Sequence, residues 1–173
     1  MSKEADRGPM APKRIEVIAR GVLQRGGRVL LCRDRGGGYC YLPGGHVEPG
    51  EAASEAVARE LGEEAGLREI SVGSCALVTE QRFQQNGQPR HEVNFVFHVE
   101  RCLLPDGTPL PLGSASGRDD EPPIVASLED HIEFVWVEAA ALGEVDLRPA
   151  SMKAWLMSGS SGLDHPAWLS HTG

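Results

Sequence analysis

Between residues 14 and 23 polar and apolar side chains alternate and then run apolar (RIEVIARGVL), the pattern of a strand with one buried face. Gln24-Arg25-Gly26-Gly27 reads as a hairpin turn, and 28–33 (RVLLCR) as the returning strand. A Gly-rich loop over 34–38 leads to a short strand at 39–42. Residues 72–83 and 91–101 are two further strands, joined across 84–90 by an Asn86-Gly87 turn signal. A strand over 132–137 and a short helical turn over 138–142 follow. The last helix, 150–157, starts after Pro149 or is capped by Ser151. In 51–65 the period changes from two to nearly four: Ala53, Val57, Leu61 and Ala65 make one stripe of an amphipathic helix. Gly50 stands just before its start, and Gly66 supplies a left-handed residue to end it. Strands, helix, strands, helix is the order of an α/β (α+β) domain with a mixed sheet between helices.

On the helix of 51–65, at about 100° per residue, Glu60, Glu63 and Glu64 share a face beside the apolar stripe. Three carboxylates this close repel, at roughly a few tenths of a kcal/mol per exposed pair. A hard divalent cation removes that repulsion, and Mg²⁺ binds through a few carboxylates plus substrate phosphate. Glu51, Glu55 and Arg59 occupy successive turns on another side. Arg59 reaches Glu55 or Glu63 at four residues' spacing. Its own charge must be paired for it to sit beside a cation site, so Glu51 and Arg59 are read as orienters rather than ligands.

Residues 45–67 (GHVEPGEAASEAVARELGEEAGL) spell G-x5-E-x7-R-E-U-x-E-E-x-G-U, with U a bulky aliphatic and all nine fixed positions filled. At average residue usage, chance agreement is on the order of one in a billion per starting position. The segment resembles a complete Nudix box. The resemblance implies an αβα sandwich with a mixed β-sheet between helices, and hydrolysis of a diphosphate linkage in a nucleoside diphosphate derivative with Mg²⁺ or Mn²⁺. It implies metal ligation by Glu60, Glu63 and Glu64, with the backbone carbonyl of Gly44 or Gly45 as a neutral ligand, and pairing of Arg59 with Glu51. Glu63 or Glu64 doubling as the base, or a further carboxylate from a later loop, are both open. Glu121, Glu129 and Glu133 are the candidates for that carboxylate. They lie in or just after 103–130, a Pro-rich stretch too long for an ordinary connection, which also holds Asp119 and Asp120. Secondary signals of the ADP-ribose, dinucleoside polyphosphate, coenzyme A and NADH branches are missing; Phe83 stands where the ADP-ribose branch carries Pro. That points to a nucleoside di- or triphosphate, with an ADP-ribose or nucleotide-sugar pyrophosphatase and a non-catalytic nucleotide sensor as the alternatives.

Phosphates also need cations, and Arg82, Arg20, Arg33 and Arg90 are candidates, Arg82 first because its strand follows the box. Phe83, Phe95, Tyr39 and Tyr41 are candidates for stacking on a base. His46 and His91 read as hydrogen-bonding residues of the structure. Residues 48–64 hold six Glu against one Arg, a net −5 within a chain of net charge −8. The acidity is local, and it argues against a duplex nucleic-acid partner. Cys32, Cys40, Cys75 and Cys102 have no C-x-x-C spacing and read as reduced thiols, with Cys32 and Cys40 on adjacent strands. The 173-residue chain has no apolar run long enough for a membrane and no signal segment at its start, so the expected address is cytoplasmic. The expected layout is a flexible tail over 1–13, one domain over 14–157 and a tail over 158–173. A homodimer is left open.

Overall fold

The computed structural model describes residues 14–113, 121–159 and 167–172. Its strands are β1 (Glu16–Val22), β2 (Gln24–Arg25), β3 (Arg28–Asp34), β4 (Cys40–Tyr41), β5 (Gly44–His46), β6 (Arg68–Gln85), β7 (Gln88–Leu103), β8 (Pro109–Leu110), β9 (Ile132–Glu138) and β10 (Ala167–Thr172). Helix α1 (Ala53–Ala65) lies between β5 and β6. A 3-10 turn (Ala139–Glu144) and helix α2 (Ala150–Met157) follow β9. One sheet runs β10-β6-β7-β1-β5, with β8 added to β7. In the second, β9 covers one edge of β3 while β2 and β4 pair with its two ends. The first sheet mixes directions, since β1 is parallel to β7 but antiparallel to β5, whereas every strand pair of the second is antiparallel.

The period-two alternation read in the sequence decides which helix each strand residue meets. On β3, Val29 and Leu31 join a core with Met152, Trp155 and Leu156 of α2. Leu30, between them, joins a second core with Ala56, Val57 and Leu61 of α1. The sheets are therefore the middle layer between two helices, as expected. Each fully buried Leu or Val contributes about 1.5–3 kcal/mol of burial energy. Helix α1 comes down closely on β1 because Gly21 leaves room: a Cβ there would lie 3.0 Å from Val57 Cγ1 and 3.1 Å from Val99 Cγ2.

Several elements extend beyond the sequence reading. Strands β6 and β7 form one long hairpin paired up to Gln85 and Gln88. Asn86 and Gly87 both have positive φ (52° and 71°), the conformation that an Asn-Gly hairpin turn takes. Where the sequence suggests a tail after 158, the backbone of 167–172 runs parallel to β6 from Ala167 beside Leu77 to Thr172 beside Arg82. An edge strand with unpaired backbone groups accepts such an addition whatever the local composition. The 103–130 stretch is not continuous loop: β8 pairs with Cys102 and Leu103, and Gly113 bridges to Arg25. Residues 1–13, Asp119 and Asp120 lie outside the described residues. Cys32 and Cys40 do sit on adjacent strands, and all four cysteines are free. Among the described residues no helix is long and apolar enough to cross a membrane.

Candidate active site

Helix α1 opens with the Ala52 N–H donating to the Glu55 carboxylate (2.8 Å) and closes at Gly66, whose φ of 65° only glycine takes at no cost. Between these ends Arg59 acts as a hub. Its Nε and Nη2 donate to the two oxygens of Glu51 (3.2 and 2.8 Å), a bidentate fork. Its Nη1 donates to Glu60 (2.9 Å) and Glu63 (3.0 Å), and Nη2 also to the His46 carbonyl (2.9 Å). The fork holds the Glu51 carboxyl below its ordinary pKa, helped by the Glu48 N–H at 2.8 Å. Glu55, the other partner expected of Arg59, is taken by the helix start instead.

Glu64 stands apart from this hub. Burial pushes its carboxyl up to about 7, against the counter-pull of Arg20 and the Gly44 N–H, and the charges of Glu60 and Glu129 push the same way as burial. Gly44 N lies 3.4 Å from Glu64 Oε2. Gly44 has φ 124°, and a Cβ there would run into the Ala19 carbonyl, so the loop passes only as glycine. A Cβ on Gly45 would run into the Glu60 carboxylate. The Gly44-Gly45 backbone thus forms a cradle between the carboxylates of Glu60 and Glu64. Oxygen donors of this kind suit Mg²⁺ or Mn²⁺. Glu63 is the outlying member, 59% exposed and paired with Arg59. Among the described residues no three acidic, His or Cys side chains converge as a ready-made cation cluster. The Gly44 carbonyl accepts from Arg20 Nη1, as does that of Leu42 at 3.2 Å.

Glu64, Gly44 and Gly45 line one end of a cavity of about 720 Å³. That volume is of the size that takes a small organic ligand. Arg20 and Phe83 line it too, as do Tyr39 and Tyr41, whose rings lie 6.0 Å apart. Arg20 sits over the Tyr41 ring at 5.2 Å. Arg82, Arg33 and Arg90 do not line it, and Arg90 pairs with Glu16 at 2.7 Å. Alternation along β6 puts Arg82 on the opposite face from Phe83, where its nearest carboxylate is Glu80 at 3.5 Å. Arg33 donates to Glu133 (3.1 Å), and Arg35 lies 3.7 Å from the same carboxylate. Of the three later carboxylates, Glu133 is therefore held by arginines and Glu121 is exposed. Glu129 alone bears on Glu64: the Leu128 N–H donates to the Glu64 carbonyl (2.7 Å) and ties the segment to α1. Glu129 also lies 3.1 Å from His131 Nδ1, and His131 lines the cavity.

A family model for the NUDIX domain matches residues 12–156. The chain belongs to the Nudix family. Among curated relatives, it is 29% identical over 147 residues to "Nucleoside triphosphatase NudI" of Escherichia coli O81 (strain ED1a), covering 80% of this chain and 92% of that one. Among solved structures, the MutT protein from Bacillus halodurans superposes with a TM-score of 0.60 at 17% identity, over 91% of this chain and 90% of that one. An ADP-ribose pyrophosphatase from Streptococcus suis superposes at 0.52 with 14% identity, over 90% and 98%. At these identities the two structures speak for the fold alone. The chain is a Nudix hydrolase, and Nudix hydrolases as a family use divalent metal.

Sequence reasoning missed the far side of this Nudix cavity. Gln81, Glu92 and Asn94 line it from β6 and β7, and Arg148 closes it above the Tyr39 ring at 4.4 Å. No local motif marks these residues. The only available signal is strand alternation: Gln81 and Phe83 share a face, so one stacking candidate implies the other residue.

Proposed function

We propose that this Nudix hydrolase cleaves a nucleoside di- or triphosphate with Mg²⁺ or Mn²⁺ and releases a nucleoside monophosphate. The observation that carries the reading is the shared cavity: the Glu64 carboxylate and the Gly44-Gly45 cradle at one end, and Tyr39, Tyr41 and Phe83 beyond them. The name of the relative from Escherichia coli, a nucleoside triphosphatase, agrees with it. Glu60 and Glu64, joined by Glu63, are the residues that would hold the metal. A divalent ion so held would neutralise phosphoryl oxygens and lower the pKa of bound water.

The chain's own residues set up that chemistry. Arg59 fixes Glu51, Glu60 and Glu63 in one arrangement, so the carboxylates need no reordering when substrate arrives. The pKa of Glu64, raised by burial, supports it as a ligand that doubles as the base for an attacking water. Glu129 is the second candidate for that base. Arg20, over Tyr41 and against the Gly44 carbonyl, positions the loop and adds positive charge where phosphates enter. Burial holds Tyr41 as a neutral phenol, so it offers a ring and an O–H but no charge.

The test is a panel of nucleoside di- and triphosphates, ADP-ribose and nucleotide sugars, each with Mg²⁺ or Mn²⁺, assayed for released phosphate, diphosphate and monophosphate. Turnover of triphosphates or diphosphates is the expected result. Turnover confined to ADP-ribose or nucleotide sugars would move the substrate assignment. Intact ligand throughout would leave a nucleotide sensor.

A further inference from the structure

The far end of the cavity has a polar floor that phosphate chemistry leaves unused. Register across β6 and β7 sets Gln81 beside Glu92 and Thr79 beside Asn94. Gln81, Glu92 and Asn94 all line the cavity, and Asn94 is otherwise buried. Glu92 Oε2 accepts from Gln81 Nε2 at 3.0 Å and from Asn94 Nδ2 at 3.5 Å. Both bonds use amide nitrogens, so both amide oxygens remain for a ligand, along with Glu92 Oε1. Those three oxygens accept no hydrogen bond from the described residues. The floor is a row of acceptors around a carboxylate.

Its position matches a nucleotide's length. Arg20 of β1 pairs with Gly44 on one side and Val96 on the other. Glu92 lies four residues along β7 from Val96, about 13 Å at ~3.3 Å per residue. An extended nucleoside diphosphate with its phosphates at Arg20 and Gly44 brings the pairing edge of its base to that floor. Phe83 is beside it to cover the ring face.

We infer that Gln81, Glu92 and Asn94 read the base, selecting nucleotides whose pairing edge carries an amino group, guanine foremost, against uracil and thymine. The inference rests on the nucleotide reading given under Proposed function. Guanine presents two adjacent donors, N1–H and the 2-amino group, which one carboxylate accepts in parallel. Adenine and cytosine each offer one amino group. Uracil and thymine offer a single N–H between two carbonyls, so acceptor faces acceptor and buried oxygens go unpaired.

Isothermal titration of GMP and UMP into the full chain without divalent ion tests this independently of hydrolysis. GMP should bind tighter than UMP by about tenfold or more, the factor that one unpaired buried polar group costs. Glu92→Gln, nearly the same shape, should cut that ratio to about threefold or less, with melting checked to show that it folds. Equal affinities in the wild type overturn base selection whatever the variant does, and an unchanged ratio in Glu92→Gln removes Glu92 from it. Failure of both nucleotides to bind overturns it as well. Cleavage of all bases at equal kcat/KM keeps the reaction and removes the selection. GMP-selective binding without any cleavage keeps the selection and removes the reaction.

Discussion

Around Arg59, hydrogen bonds join His46, Glu51, Glu60 and Glu63, all drawn from one short stretch of chain. The cavity beside this group, which His46 alone of these residues lines, takes Tyr39 from before β4, Gln81 and Phe83 from β6, and Glu92 and Asn94 from β7. The first region is local, strongly charged and fixed by helical spacing. The second exists only once distant strands pair. Chemistry that every substrate needs can be written in a contiguous motif. Discrimination between substrates is written in strand register, where exchanging one side chain leaves the fold and the reaction in place.

The largest expected effect tests the local end. Glu64→Gln keeps the shape and removes the charge between Gly44 and Glu60. Turnover should fall about a thousandfold or more, beyond the 10–100-fold typical of residues that only support ligands. Melting temperature should hold or rise, because a desolvated carboxylate is gone. Near-wild-type turnover would break the assignment of this end to the reaction.

The same residue makes stability depend on pH. Glu64 titrates at about 7 in the fold against an ordinary value of 4.5. Between those values the folded chain keeps a proton that the unfolded chain has lost. Its contribution to stability is therefore undiminished below about pH 4.5 and is lost as pH rises to 7, by on the order of 3 kcal/mol. Denaturant unfolding of the metal-free protein at pH 5 and pH 8 should show this slope, and Glu64→Gln should flatten it. Mg²⁺, which binds the deprotonated form, should stabilise more at pH 8 than at pH 5. An identical slope in the variant would assign the pH dependence elsewhere.

Arg59→Ala comes next. It leaves Glu51 without its fork, and Glu60 and Glu63 without the Nη1 that donates to both. Activity and apparent Mg²⁺ affinity should fall about 10–100-fold together, and Arg59→Lys should recover only part because an ammonium lacks the bidentate geometry. A fall in kcat with unchanged Mg²⁺ dependence would mean that Arg59 does not order the carboxylates.

The contrast between the ends also accounts for what the sequence disclosed. The stripe Val57-Leu61-Ala65, the glycine stop at Gly66 and the Arg59–Glu51 pair follow from short-range spacing, and each is found in place. The Asn86-Gly87 turn is equally local. Strand β10 was not legible, because its pairing depends on an open edge of β6 rather than on its own residues. Glu129 could not be singled out from Glu121 and Glu133, since only the Leu128–Glu64 backbone bond and the arginines around Glu133 separate them.

The smallest expected effect sets two neighbours against each other. Arg82 and Phe83 are adjacent on β6 and look in opposite directions. Charge complementarity favours Arg82 as the phosphate contact when only the sequence is in view. Its side chain is instead 54% exposed, with Glu80 as its acid partner at 3.5 Å. An exposed pair of that kind is worth roughly 0–1 kcal/mol. Phe83→Ala should raise KM about tenfold by removing a ring that covers the base, with kcat less affected. Arg82→Ala should leave KM and kcat within about twofold and stability within about 0.5 kcal/mol. If Arg82→Ala instead raised KM as far as Phe83→Ala does, phosphates would be entering from the outer face of β6, and the cavity would not be the substrate site.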